Sequence, residues 1–402
     1  MKRIILLLLT ASLCFTFFAC QSGQEAASGT ASTAAAATDP APVKTPYPDE
    51  PAGTAVLGTV GETPVYEYYF NALFTSYVTE ALENEPDYDK DADEEEAYDY
   101  LVSYLERTGA DGKTNLQLLT DKTADACRRM IILKSEGNKQ GSVLSEGRKN
   151  SISAQWDTTA EACFAEYGTK YASVRTRDDA MRLLYHMNVN EVKAFSVLQN
   201  EVSDYISTWY TNGIRTGNED LAAYYAAHED DFRVVNLRAV YIEKTDENGA
   251  DQRPLAETVL RRLEEMPAYM ENLVKGYNQN KTLAASGGRM GVTGLKPGIP
   301  DEIKAWATKQ SEDTLFFKSG KAEIVTTEKG YYVVLCESIQ TYSEEPNDAV
   351  YESVGAAYKE AQLNAYVNEL AQREEYRWTE TNPERPAELA RSWVSSAKPP
   401  IA

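Results

Sequence analysis

The stretch that decides the fold begins Gly287-Gly288-Arg289-Met290-Gly291, passes through Phe316-Phe317-Lys318-Ser319-Gly320, and closes on Gly330-Tyr331-Tyr332-Val333-Val334. Paired glycines before a short strand permit a tight backbone turn. The intervening amphipathic segment reads as a helix, and Gly320 as a second turn. The last five residues, aromatic then β-branched, suit a half-buried strand. Together they predict a small α/β unit.

Upstream, residues 237–243 alternate as a strand. Residues 255–274 read as an amphipathic helix broken at Pro267. Residues 218–232, starting Asn218-Glu219-Asp220 and ending in Phe232, form a capped short helix that leads into the strand. Earlier, Tyr66, Tyr69, Phe70, Leu73, Phe74 and Tyr77 repeat at helical spacing. A stronger pattern of Leu116, Leu119, Thr123, Ala126, Cys127, Met130 and Ile131 predicts a helix over 115–136, closed by Gly137 as C-cap. Further helices are expected over 142–167, 177–185 and 190–209. A short strand with a turn opens the body at 56–65. After the α/β unit a helix over 349–374 and a strand over 376–379 complete the pattern.

In order and spacing, residues 287–334 resemble the second half of a parvulin-type peptidyl-prolyl isomerase domain. The opening helix, the 116–133 helix and the Tyr224-Tyr225…Phe232 bridge resemble the helical chaperone domain of PrsA/SurA-type extracytoplasmic foldases. The resemblance covers residues 55 to about 380. It implies an α+β fold: a helical N-terminal chaperone-like domain completed by a C-terminal helix, with an inserted parvulin-like β-α-β domain built on a small antiparallel sheet. The implied boundaries are 55–232 for the helical domain, 233–342 for the parvulin-like domain, 343–380 for the returning helix and 381–402 for a tail.

Prolyl isomerisation faces a barrier of roughly 20 kcal/mol and needs no covalent intermediate. A catalyst must only bind the twisted amide better than either planar form. In the resembled family two facing histidines and a Met-x-x-x-Phe pair do so. Carried over, the first histidine falls at Ala239, the second at Tyr332, and the pair near Gly298 and Ile303. None of those side chains is kept. The expectation is a non-catalytic peptide-binding or structural module, with Met290, Ile303, Phe316 and Tyr332 as groove candidates. An isomerase reworked around the Tyr332 hydroxyl, and an envelope docking lipoprotein, are the alternatives.

Met1-Lys2-Arg3 followed by an apolar run over 4–18 reads as an export signal, too short to span a bilayer. Cys20, after Ala19, resembles the lipidated cysteine of a bacterial lipobox; an ordinary signal cut near Ala19 would leave it a free thiol. Residues 21–54, rich in Ala, Ser, Thr, Gly and Pro, read as a tether. The expectation is export and attachment by lipid to the outer face of the bacterial cytoplasmic membrane, with unfolded or nascent exported polypeptides as partners.

The chain has 40 basic and 62 acidic residues, a net charge of −22, which becomes −24 if Lys2 and Arg3 leave with the signal. That balance argues against nucleic acid. No phosphate-cradling glycine loop appears, so no nucleotide or other cofactor is expected. The two histidines, His186 and His228, read as surface or helix-packing residues and support neither a zinc site nor a Ser-His-Asp hydrolase. The acidic run 87–96 departs from an EF-hand at Ala92 and Tyr98 and reads as a solvated loop, so no metal is expected. Cys127, Cys163 and Cys336 read as buried thiols, a Cys127–Cys163 bridge being the alternative. Tyr66, Tyr68, Tyr69, Tyr77, Tyr205, Tyr210, Tyr224 and Tyr225 could together line an adaptable apolar groove.

Overall fold

The computed structural model describes residues 54–398, except positions 86, 87, 90, 91, 110, 215, 295, 297, 346 and 347 and the side chain of Pro267. The export signal, Cys20 and most of the tether therefore lie outside the described residues, as do Asp87 and Asp91 of the acidic run. No described helix is long and apolar enough to cross a membrane. The fold is α+β: mostly helix, with two small antiparallel sheets. The chain divides into two compact units, one holding residues up to Ile214 and from Gln362 onward, the other Arg215–Ala361.

In the first unit, strands β1 (Val56–Val60) and β2 (Thr63–Tyr66) form a hairpin that turns at Gly61, whose φ is +58°. A strand from near the C-terminus completes this sheet against β1. The helix Glu67–Glu83 follows β2 directly. Phe70, Phe74, Val78 and Leu82 make its inner face, and Tyr68, Tyr69 and Ala72 bury the flanks. A helix apolar on nearly every side belongs at the centre of a core. Around it stand the helices Asn115–Lys139, Arg177–Tyr185 and Val189–Asn212. Thr114, Thr176 and Asn188 cap those three with reciprocal hydrogen bonds to residues three positions on.

Gly137 does not end its helix. The helix runs on to Lys139, and a Cβ at Gly137 would lie 3.2 Å from Cβ of Tyr205. The glycine serves close helix packing. Tyr66, Tyr68, Tyr69 and Tyr205 are buried in this core, so they pack instead of lining a shared groove; Tyr224 and Tyr225 belong to another cluster in the second unit. Cys127 and Cys163 are free and buried.

The C-terminal residues join the same core. Leu363, Val367 and Leu370, from the helix Ala349–Leu370, lie in it, and so does Trp393. Residues 381–402, expected as a tail, contain the helix Arg385–Ser396. Leu389 and Ala390 lie four and three residues before Trp393 and so share a face with it, packed against the 67–83 and 115–139 helices.

The second unit is built on four antiparallel strands: β3 (Val234–Glu243), β4 (Arg289–Val292), β5 (Glu323–Thr326) and β6 (Gly330–Gln340), in spatial order β4-β3-β6-β5. With these introduced, the strand that completes the first sheet is β7 (Trp378–Glu380). Alternation along β3 and β6 divides the second sheet's two faces. Val240, Ile242, Tyr331, Val333 and Leu335 pack under the helices Arg253–Glu265 and Met270–Tyr277, which a single 3-10 turn separates at Pro267 as expected. Leu237, Ala239, Val334 and Cys336 face the helix Asp301–Ala307 through Ile303 and Trp306.

The bridge residues 218–232 belong to this unit. Leu221 and Phe232 pack on Val350 and Val354, which moves the division upstream of 232 and carries residues 343–361 with it.

A tyrosine pair on the candidate groove of the four-stranded sheet

Strands β3 and β6 run side by side over ten residue pairs. In this register Tyr332 stands opposite Tyr241, and Ala239 stands opposite Val334. Directly opposed residues and their diagonal neighbours two positions along can both touch across neighbouring strands. Tyr241 is the direct partner of Tyr332, and Ala239 is its diagonal neighbour on the same face.

The two rings lie with centroids 4.8 Å apart and planes tilted by 53°. Both are half-buried. The Tyr241 hydroxyl donates to the Lys329 carbonyl oxygen at 3.1 Å. Burial raises the Tyr332 pKa above its ordinary value, and the neighbouring Tyr241 adds to the shift. Burial likewise raises Tyr241, with help from Glu243. Both phenols are thus neutral at physiological pH. They can donate or accept a hydrogen bond and present aromatic faces, but neither is a proton carrier near pH 7.

Asn278 fixes the strand that carries Tyr241. Its Oδ1 accepts from the Tyr241 backbone N–H at 3.3 Å, and its Nδ2 donates to the Ala239 carbonyl at 3.3 Å. Gly288 explains the paired glycines on the other side of this strand. Its φ is +77°, and a Cβ there would meet the Ala239 carbonyl oxygen at 2.6 Å. Only glycine lets the 288 carbonyl accept from the Ala239 N–H at 2.8 Å without a clash.

The four groove candidates do not form one surface. Ile303 packs with Ala239 in the cluster under the 301–307 helix, and both are 0 % exposed. Met290 and Tyr332 border that cluster and remain half-buried. Phe316 packs on the opposite face, with the 253–265 and 270–277 helices. It is Phe317 next to it that projects, at 74 % exposure. Met290, Ile303 and Tyr332 thus stay together, Phe316 leaves the set, and Tyr241 enters it.

No imidazole approaches these residues. His228 lies between the helices Asn218–Ala227 and Glu229–Phe232, with Nδ1 3.4 Å from Asp231. His186 lies in the first unit, as the left-handed C-cap of the Arg177–Tyr185 helix. The acidic run is used structurally where it is described. The Asp93 carboxylate accepts from the N–H groups of Glu95 and Glu96 and caps the helix Glu94–Glu106, while Glu94 pairs with Lys170 at 2.6 Å. Among the described residues no group of three His, Cys, Asp or Glu side chains is placed to hold a metal.

No known family profile and no curated protein matches the chain. Its likenesses are among solved structures. The foldase PrsA of Streptococcus pneumoniae is 14 % identical, over 74 % of this chain and 94 % of that one, with a TM-score of 0.32. A peptidylprolyl isomerase, PrsA of Bacillus anthracis, is 14 % identical, over 68 % and 97 %, with a TM-score of 0.24. A SurA-like chaperone structure from Campylobacter jejuni is 18 % identical, over 42 % and 65 %, with a TM-score of 0.22. The chain thus resembles PrsA-type and SurA-like proteins at low similarity.

Proposed function

We propose that this chain is a lipid-anchored, extracytoplasmic foldase-like chaperone that holds unfolded exported polypeptides, and that its isomerase-like unit binds peptide without catalysing prolyl isomerisation. The observation that carries the second half is the Tyr241–Tyr332 pair. Of the two positions where the resembled family sets histidines, 239 holds an enclosed alanine and 332 a neutral phenol, which faces the second phenol of Tyr241 beside enclosed Ile303. Amphipathic rings of this kind suit adaptable contact with apolar and aromatic segments. They lack the imidazole network, and groups that act as one unit lose most of their effect together.

The holding function draws on the helical unit. In this reading the second unit is an insertion into a helical chaperone-like domain closed by its own C-terminal residues. Leu363, Val367 and Trp393 sharing a core with Phe70 and Phe74 supports that arrangement. Cys20 would carry the lipid, and residues 21–54 would act as spacer.

The test is light scattering of a chemically denatured client diluted into buffer with a stoichiometric amount of the purified chain. Slowed aggregation is expected, and an unchanged aggregation rate refutes the chaperone reading. A proline-limited refolding assay distinguishes the active-isomerase alternative, which predicts acceleration that disappears in Tyr332→Phe.

A further inference from the structure

The first unit contains a cleft of about 100 Å³ in which the Tyr241–Tyr332 pair has no part. Val78 and Leu82 of the 67–83 helix, Leu101 of the 94–106 helix, Leu183 and Leu184 of the 177–185 helix, and Trp393 make its apolar wall. Thr75 cannot hydrate the cleft freely, because its Oγ1 accepts from Trp393 Nε1 at 2.8 Å. His186 closes one part of it. Its ring lies 4.8 Å from that of Trp393, and its Nδ1 is 2.9 Å from Ser396 Oγ. His186 is also the only non-glycine residue with positive φ, +56°, among the described residues. A backbone held in that sparsely populated region marks a place where the surroundings dictate conformation.

Size selects the occupant. A protein cavity of about 150 Å³ takes benzene, with six carbons. On the same scale about 100 Å³ takes about four carbons, which is the branched end of a leucine or isoleucine side chain. Charge selects its context. The chain as a whole carries −22. A basic segment is favoured by such a chain and an acidic one repelled.

We propose that this cleft binds one branched aliphatic side chain presented by a cationic polypeptide segment. The proposal rests on the chaperone reading and assigns it a contact point in the helical unit. Four peptides titrated into the full chain, followed by saturation-transfer NMR, test it: acetyl-Lys-Leu-Lys-amide, its Ala and Phe counterparts, and acetyl-Glu-Leu-Glu-amide. The Leu peptide is expected to bind at least about tenfold more tightly than the Ala peptide, the discrimination a few methylenes give in an apolar pocket. It should also exceed the Phe and Glu peptides. Ala397→Leu, which replaces a methyl by an isobutyl group at the lining, is expected to abolish that preference. Leu183→Phe fills the cleft from another lining helix and should do the same.

Equal binding of the Leu and Ala peptides, tighter binding of Phe, or a preference that survives both filling variants overturns the assignment. Aggregation suppression that persists in filled variants overturns the cleft and leaves the chaperone reading standing. Selective peptide binding without aggregation suppression does the reverse.

Discussion

Arg385 grips Glu67 with two hydrogen bonds, of 2.6 and 2.8 Å, across 318 positions of sequence. The fork of a guanidinium on a carboxylate fixes direction as well as distance. It sets the start of the last helix on the start of the 67–83 helix, and eight residues later Trp393 meets Phe74 edge-on at 5.3 Å. A segment expected as a tail is thereby part of the core.

Removing this fastening should weaken the first unit in proportion to burial. Trp393→Ala, at a residue 7 % exposed, is expected to cost about 3–5 kcal/mol, the usual range for deleting a buried large aromatic. Arg385→Met, at a partly exposed ion pair, should cost about 1 kcal/mol. Urea unfolding followed by far-UV circular dichroism measures both. Equal losses from the two variants would show that the charge pair, and not the indole, holds the helix.

Glu136 joins the 115–139 helix to the C-terminal residues. Tyr366 donates to its carboxylate at 3.0 Å and Lys139 at 2.8 Å, and the Tyr376 hydroxyl also donates to it. Burial alone would raise its pKa, but hydrogen bonds from Lys139, Tyr376 and Tyr366 prevail and hold it below the ordinary 4.5. A depressed folded pKa means that the unfolded chain binds the proton first. The stabilisation is therefore complete above about pH 4.5 and is lost as pH falls through the folded value. Glu136→Gln should flatten this part of the acid limb in urea midpoints taken from pH 5 to pH 3; an unchanged slope would remove Glu136 from the account.

His186 acts in a separate window. Desolvation lowers its pKa from 6.5 to about 4. Between those values the unfolded chain is protonated and the folded one is not, so stability should decline from pH 6.5 towards pH 4, by up to about 3 kcal/mol. His186→Asn keeps a residue tolerant of the left-handed region and removes the titration. Its stability should be level between pH 6.5 and 4.5, where the parent slopes. A parent that is level across that interval contradicts the assignment.

Tyr332→Phe removes a hydroxyl from a half-buried ring whose tilted contact with Tyr241 remains. Stability should change by less than about 1 kcal/mol, and the rate of a proline-limited refolding reaction should be the same with parent, variant or no added protein. Tyr241→Ala should instead reduce peptide retention, because it takes away a ring that faces any occupant of that groove. Retention is measured by fluorescence anisotropy of a labelled proline-containing peptide.

Much of the second unit was legible in the sequence. Alternation along β3 and β6, the break at Pro267 and the glycine pair each act through neighbours in the chain. Positions that depend on pairing were not. Alternation makes 239 and 241 equivalent, and only the partner strand decides which of them stands directly opposite Tyr332. Gly137 reads as a helix end because glycine usually is one, yet Tyr205, far away in sequence, is what requires it to be small. Phe316 and Phe317 look interchangeable in a four-residue helix, and the sheet face decides which is buried.

Most of the helices, the strand alternation and a strongly negative charge were legible in the residues alone, because period, capping residues and composition are local properties. Tertiary structure alone decided that Tyr241 is the partner of Tyr332, that residues 385–396 belong to the core of the first unit, and that His186 sits in a left-handed turn against Trp393. Each of those depends on distant segments meeting, and burial and hydrogen bonding at such a meeting act only once the chain has closed on itself.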